Sequence, residues 1–484
     1  MKPALLSLAC AALAGASRAQ DAPIPDTHTH DAPNGVVDLP EGSHPALLEL
    51  FERYTRLVAP NGGAIHLVAT AGVSDAQLVR AREVMRFYLS DAPGTRFGSD
   101  KAGVANSMAD HGACLVMFAR ERDAFRAYER LERVEGLFFQ DLYASETHVE
   151  GDSDWLANRG RDACLEEVFH LVQGAGIRYA LPEYQRELER AAENAVRLDL
   201  WRTNPEWWLE GSSSYEYIIS VIDVLYGLWE HDPDGNGESF GGEYLVTSRA
   251  ALLERDPLGV RALRAFLPDH FAAELSVAPD FEGRFDMTGA SDAAWASKAR
   301  WLTHVRLTGS ANSELVGNAR GNRLAGNAGD NRIDGGPGCD TVVYPGPRAR
   351  YTVERAGEGW RVSGDGVDVL ENVERLAFAD GEQALEPADC APLRTRPLDA
   401  PDPEREGRWS ELEENRPAEA ARELLACFDH DADGRVESQE VPRSMGGFRA
   451  VVGEADRDGD GAASAQEVER WVRAMFAEEE GDED

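Results

Sequence analysis

Glu166, Glu167 and His170, within "LEEVFHLVQ" (165–173), have the residue types and spacing of a metal-assisted hydrolytic site. On a helix, positions i and i+4 share a face, so Glu166 and His170 can hold one cation between them. Glu167 then stands beside the ion, where a carboxylate can take a proton from metal-bound water. A third ligand must come from a later segment. "WWLEGSSSY" (207–215) offers Glu210, and the nearly apolar helix "YEYIISVIDVLYGLW" (215–229) offers Glu216. Glu216, Ser220 and Asp223 fall at i, i+4 and i+7 of that helix, and a buried carboxylate stripe needs a partner. Glu216 is therefore the preferred third ligand, with Asp223 behind it. The plain alternative is a Glu166–His170 ion pair on an amphipathic helix whose apolar stripe is Leu165, Val168, Phe169 and Val172. Gly174 and Gly176 are expected to end this helix.

Two acidic segments near the C-terminus carry a different metal chemistry. "DHDADGRVESQE" (429–440) and "DRDGDGAASAQE" (456–467) place Asp429, Asp431, Asp433 and Asp456, Asp458, Asp460 at positions 1, 3 and 5. Gly434 and Gly461 permit a sharp turn at position 6. The backbone carbonyls of Arg435 and Ala462 serve position 7, Glu437 and Ser464 stand at position 9, and Glu440 and Glu467 close the shell with two oxygens each. A cation the size of calcium wants such an oxygen-rich, flexible cage. The pair resembles the EF-hand, and the resemblance implies two Ca2+ ions. Ala463 departs from the pattern, which prefers an aliphatic residue where the two loops pair. "DPDGNGESFGGE" (232–243) satisfies the bare pattern too, against the reading of a plain turn between helices.

Between these regions, "NSELVGNARGNRLAGNAGDNRIDGGPGCDTVVY" (312–344) has a period of nine. Leu315, Leu324, Ile333 and Val342 repeat at that interval, as do Gly317, Gly326 and Gly335. A stacked parallel strand coil buries one apolar residue per turn in this way. The segment resembles the hemolysin-type (RTX) calcium-binding repeat, which implies calcium at its glycine-rich corners. Only "GGPGCD" (335–340) matches that repeat's pattern well, so Asp340 is the expected ligand there. Ser313, Asn322 and Asn331 hold the equivalent places, and neutral side chains there imply weaker sites or an asparagine ladder with no ion.

The elements that must position the first site also follow from pattern. "AIHLVAT" (64–70) and "ACLVMF" (113–118) read as buried strands, and 74–89 as an amphipathic helix capped by Ser74. Strand, long helix, strand and site helix, in this order, resemble a zincin-like metallopeptidase. The resemblance implies zinc held by Glu166, His170 and Glu216, with Glu167 as general base. Zincins carry His where this chain has Glu166; a carboxylate there admits harder divalent metals as well as zinc.

The whole chain of 484 residues is long enough for two to four domains. Residues 1–19 read as a secretory signal peptide removed after Ala19, and its loss of Lys2 and Arg18 takes the net charge from −38 to −40. Such a charge excludes nucleic acid as a partner and repels anionic membrane. No stretch after the signal reads as a transmembrane span. Five cysteines remain, which is no disulfide-dense framework. The expected order is multidomain: an irregular segment (20–45), an α+β zincin-like domain (46–305), a parallel β-roll or all-β module (306–388), a linker (389–417), and an all-α EF-hand pair with an acidic tail (418–484). "DTHTHD" (26–31) and His148 are weaker metal-site candidates, and Trp201, Trp207 and Trp208 form either a substrate subsite or core packing. The expected function is a secreted calcium-binding protein with a metal-dependent, peptidase-like hydrolase domain acting on extracellular peptides or proteins, with cell-surface association also compatible. The rival is a non-enzymatic calcium-binding surface or matrix protein with an inactive peptidase-like scaffold.

Overall fold

The computed structural model describes residues 22–30, 32–158, 162–231, 239, 242–385, 416–430 and 433–479. Residues 1–19, expected as a signal peptide, nearly all of the expected linker, Asp431 and most of the 232–243 loop lie outside these residues. The described part has mixed α/β content arranged in four sheets.

The first sheet has the order β1 (Val37–Asp38), β2 (Arg53–Val58), β3 (Ala64–Ala69), β4 (Ala113–Phe118), β5 (Phe138–Tyr143). β1, β2 and β3 run antiparallel, whereas β3, β4 and β5 are parallel. β4 is a six-residue apolar run with every side chain buried, as a central strand flanked on both sides requires. Helix α1 (Asp75–Leu89) starts at Ser74, which caps Gln77 N–H while Gln77 reaches back to the cap backbone. The Tyr88 hydroxyl of α1 donates to Leu165 O (3.0 Å), and its ring meets Phe169 edge to face at 4.9 Å. These contacts fix α1 against the site helix α2 (Cys164–Val172). Strand pairing thus begins at Val37, inside the segment expected to be irregular.

Gly174 and Gly176 do not end α2. The helix continues through Gln173–Ile177 as a π-type turn and then through Arg178–Ala180. Both glycines are needed for close packing: a Cβ at Gly174 would lie 3.0 Å from Phe138 Cζ, and one at Gly176 2.7 Å from Val104 Cγ1. Helices α3 (Pro182–Arg197), α4 (Pro205–Glu210) and α5 (Ser213–Leu225) follow, and α5 is buried from Ser214 to Leu225.

The next strands alternate between two sheets. One contains β6 (Phe271–Ser276), β8 (Leu302–Arg306), β10 (Arg323–Ala325), β12 (Thr341–Val343) and β16 (Arg375–Phe378), all parallel, with β17 (Gly381–Ala384) antiparallel at its edge. The other contains β7 (Arg284–Asp286), β9 (Glu314–Val316), β11 (Arg332–Asp334) and β15 (Gly366–Glu371), parallel, and ends in the antiparallel hairpin strands β14 (Gly359–Gly364) and β13 (Thr352–Ala356). Leu315 pairs with Ile333, and Leu324 with Val342, so successive nine-residue steps fall in opposite sheets; all four side chains are fully buried. The same rows extend upstream, because Phe285 pairs with Leu315 and Val305 with Leu324. The stack therefore starts at Phe271 rather than at 306. Its first strands lack the glycine and asparagine corners that carry the period, so only pairing reveals them.

At the C-terminus, α6 (Arg416–Phe428), α7 (Gly446–Ala455) and α8 (Ala465–Glu479) surround a short antiparallel pair, β18 (Arg435–Glu437) with β19 (Ala462–Ser464). No helix of the described residues is long and apolar enough to cross a membrane. Cys339 is disulfide-bonded, whereas Cys114, Cys164 and Cys427 are free and buried.

Candidate functional site: a carboxylate–histidine cluster

The amphipathic pattern of α2 sends Val168, Phe169 and Val172 into the core, and Glu166 and His170 are buried with them. One carboxylate oxygen each of Glu166 and Glu167 and one ring nitrogen of His170 lie within 4.8 Å of one another. His170 Nδ1 stands 3.4 Å from Glu167 Oε2, and Nε2 stands 3.8 Å from Glu216 Oε1 on the first turn of α5. Glu216 is buried, whereas Glu210, at the end of α4, is exposed. Of the two candidate third ligands, Glu216 is the one the fold places beside His170, although the group whose ligand atoms all fall within 4.8 Å comprises Glu166, Glu167 and His170 without it. Asp223, two turns on, accepts from the Trp229 indole N–H (3.4 Å) and is fully buried.

The histidine's surroundings suit a cation. Nε2 is buried and has no hydrogen-bond partner among the described residues. Two zinc ligands at about 2.1 Å from one ion and a tetrahedral angle apart are separated by about 3.4 Å, close to the 3.8 Å between Nε2 and Glu216 Oε1. Burial alone would pull the imidazole pKa down, but Glu216 and Glu167 outweigh it and hold the group at about 9. Without a metal, the neighbouring carboxylates favour the protonated imidazole. Burial also holds the Glu167 carboxyl above its ordinary range; the His170 contact opposes this, while Glu166 and Asp141 push the same way.

Gln140, on edge strand β5, was not singled out in the sequence. Its Nε2–H donates to Glu167 Oε2 at 2.7 Å, which fixes that carboxylate's direction. Nothing local marks this glutamine, since the contact depends on β5 lying beside α2. A second unforeseen feature is a buried amide chain: Gln173 Nε2–H donates to Gln185 Oε1 (3.0 Å), and Gln185 Nε2–H to Ser214 Oγ (3.3 Å) and Glu189 Oε1 (3.1 Å). It ties the π-turn after His170 to α3 and to the start of α5. His148 is buried in the loop before α2, and Trp201 stacks on Trp207 at 5.7 Å inside the core. His28 and His30 are exposed.

No family model, curated protein or solved structure matches the chain. The geometry of each site therefore carries its own argument.

In the first acidic loop the Asp429 carboxylate accepts from the N–H groups of Asp433 (3.1 Å) and Gly434 (2.9 Å), and Glu440 accepts from those of His430 and Glu437 (2.9 Å each). In the second, Asp456 accepts from Gly459 (2.8 Å) and Gly461 (3.0 Å), and Glu467 from Arg457 (3.3 Å) and Ser464 (3.0 Å). Gly434 and Gly461 have φ of 85° and 97°, a region that favours glycine. Asp456, Asp458 and Asp460 offer oxygens within 4.8 Å of one another. Carboxylates folded back over a loop of inward N–H groups at this spacing fit a hard cation. Ala463 lies opposite Val436 in the β18–β19 pair and is fully buried, so its small size leaves the pairing intact. Arg435, whose carbonyl belongs to the first loop, sends its guanidinium to the Asp460 carboxylate of the second.

In the strand stack Asp340 and Asn322, at two of the expected ligand positions, accept from backbone N–H groups, whereas the Ser313 hydroxyl has no hydrogen-bond partner among the described residues. Asp340 Oδ1 accepts from Asn322 N–H (2.6 Å), Asp368 Oδ1 from Asn331 N–H (3.1 Å), and Asn322 Oδ1 from Asn318 N–H (2.8 Å). Ser313, Asn322 and Asn331 are buried, as a ladder requires. Asp340 Oδ2 is buried with no hydrogen-bond partner among the described residues, and burial pushes the Asp340 carboxyl up to about 7. A cation at that oxygen would relieve the cost of a buried charge.

Proposed function

We propose that the protein is a secreted calcium-binding protein whose first domain is a zincin-like, metal-dependent hydrolase acting on extracellular peptides. The observation that carries the reading is His170 Nε2, buried without a hydrogen-bond partner among the described residues and facing Glu216 Oε1 at 3.8 Å, with Glu166 and Glu167 alongside. Glu166, His170 and Glu216 would hold zinc or another divalent metal. When bound, the metal polarises a scissile carbonyl and acidifies water. Glu167, aimed by Gln140, takes the proton from the attacking water and passes it to the leaving amine. The test is cleavage of an unstructured peptide at saturating calcium, before and after a transition-metal chelator. Activity lost to the chelator and restored by zinc supports the reading; cleavage indifferent to the chelator sinks it.

The RTX-like β-roll and the EF-hand pair belong to the same reading, as calcium-dependent supports of an exported protein. In the pair, Arg435 competes with calcium for Asp460. Arg435→Ala should raise the calcium affinity of the second loop about two- to fivefold, as removal of an exposed ion pair permits. Calorimetric titration checks this, and an unchanged affinity would mean that the ion pair does not compete.

The second reading is a calcium-binding protein with an inert first domain. The observation in its favour is the burial of the cluster, in which the neighbouring carboxylates favour a protonated His170 that would balance their charge. A chain free of transition metal and without cleavage would establish it.

A further inference from the structure

The C-terminal helices do not stand apart from the first domain. Arg422 of α6 pairs with Glu193 of α3 at 2.6 Å, and the Arg197 guanidinium donates to the backbone oxygens of Ala426 (3.5 Å) and Asp429 (3.2 Å). Asp429 is the first ligand position of the first acidic loop. Trp208 of α4 is buried at this contact: its indole N–H donates to Ala420 O (3.1 Å), and its ring meets Phe448 of α7 at 5.8 Å. Pro205, the first residue of α4, abuts Gly447, where a Cβ would lie 3.0 Å from the proline ring.

α4 has six residues, too few for a helix to hold itself together in water. Gly211, at φ 75°, turns the chain directly from α4 into α5, and Glu216 stands in the first turn of α5. α4 is therefore held from two sides, by the Trp207–Trp201 stack and the Asn204 cap within the first domain and by the C-terminal module through Trp208 and Pro205. That module carries nine acidic ligand-position side chains in two loops, whose mutual repulsion opposes folding until cations neutralise it. The amide chain from Gln185 to Ser214 and Gln173 supplies a second tie from α3, which α6 grips, to the start of α5 and the end of the site helix.

We propose that calcium loading of the C-terminal module orders α4 and the first turn of α5, and thereby sets where Glu216 stands. The module thus acts as a calcium-dependent clamp on the elements that complete the carboxylate–histidine cluster. The proposal rests on the calcium binding proposed above, and its consequence for a metal at that cluster rests also on the metal site proposed there. By linkage, a metal held by Glu216 would in turn tighten calcium in the loops.

The experiment is hydrogen exchange by mass spectrometry on the full chain, in chelator and in millimolar calcium, with zinc affinity measured in both states. Calcium should slow exchange across 416–479 and, in parallel, slow it about tenfold over 205–218, within the range of ordinary coupling between sites. Phe448→Ala should abolish the protection at 205–218 while calcium still protects 416–479. If that variant does not fold the module, Arg197→Ala, which removes the hydrogen bonds to Ala426 and Asp429, should reduce the protection instead. Equal exchange at 205–218 in chelator and calcium overturns the proposal, as does protection there that Phe448→Ala and Arg197→Ala both leave intact. Calcium-dependent protection at 205–218 in a chain that binds neither zinc nor another divalent transition metal supports the clamp and refutes the metal centre, so the two failures are distinct.

Discussion

Glu167→Gln should retain the bound metal and lose peptide cleavage by about a hundredfold or more, the range expected when a general base is removed. The substitution keeps shape and keeps an acceptor for Gln140, whose amide is 2.7 Å from the carboxylate, so the variant should fold as the parent does. Glu166→Gln weakens a charged ligand and should lose metal affinity first. Glu166→His builds the His-Glu-x-x-His set and should raise zinc affinity. Metal content and cleavage rate, measured side by side for the three variants and the parent, check this. Normal cleavage by Glu167→Gln would remove the enzyme reading, and full metal retention by Glu166→Gln would remove the ligand assignment.

The second large effect lies in the strand stack. Ile333→Ala should destabilise it by roughly 2–5 kcal/mol, because the side chain is fully buried between Leu315 and Leu370 and leaves a cavity. The loss should be the same in calcium and in chelator. Asp340→Ala should cost less in chelator, roughly 1–3 kcal/mol for the N–H of Asn322 left without its acceptor. It should cost more in calcium, if Asp340 Oδ2 meets an ion. Asn322→Ala should show no such dependence. Urea unfolding of the variants in both conditions measures these differences. Equal calcium dependence of Asp340→Ala and Asn322→Ala would remove the ion from the stack, and a negligible effect of Ile333→Ala would remove the apolar ladder from its core.

These two sites differ in how far they could be read without coordinates. The pair Glu166 and His170 shares a helix, so one periodicity argument places both. Glu216 was separable from Glu210 because it interrupts an apolar helix, and burial of a carboxylate demands compensation. The strand Ala113–Phe118 and the Ser74 cap were visible because an unbroken apolar run and a capping residue act locally. The ladder from Leu315 to Val342 was visible through its glycine and asparagine corners. Its upstream rows, Phe285 and Val305, have no such corners and emerge only from pairing. Gly174 and Gly176 misled for a related reason. Local propensity reads glycine as a helix stop, whereas here the absence of a Cβ lets Phe138 and Val104 pack against a helix that continues. Gln140 and the grip of α6 and α7 on Trp208 were invisible, because each depends on where two distant segments come to rest. In sequence Trp208 fits either a substrate subsite or core packing; in the fold its indole N–H meets Ala420 O and its ring meets Phe448, both in the C-terminal module.

The central claim is a transition metal held by Glu166, His170 and Glu216, and elemental analysis of the protein washed free of calcium tests it most directly. The parent should carry one equivalent of zinc or a similar divalent metal, with a marked loss in His170→Ala and Glu216→Gln under the same wash. No bound transition metal in the parent, or the same content in all three proteins, would contradict it.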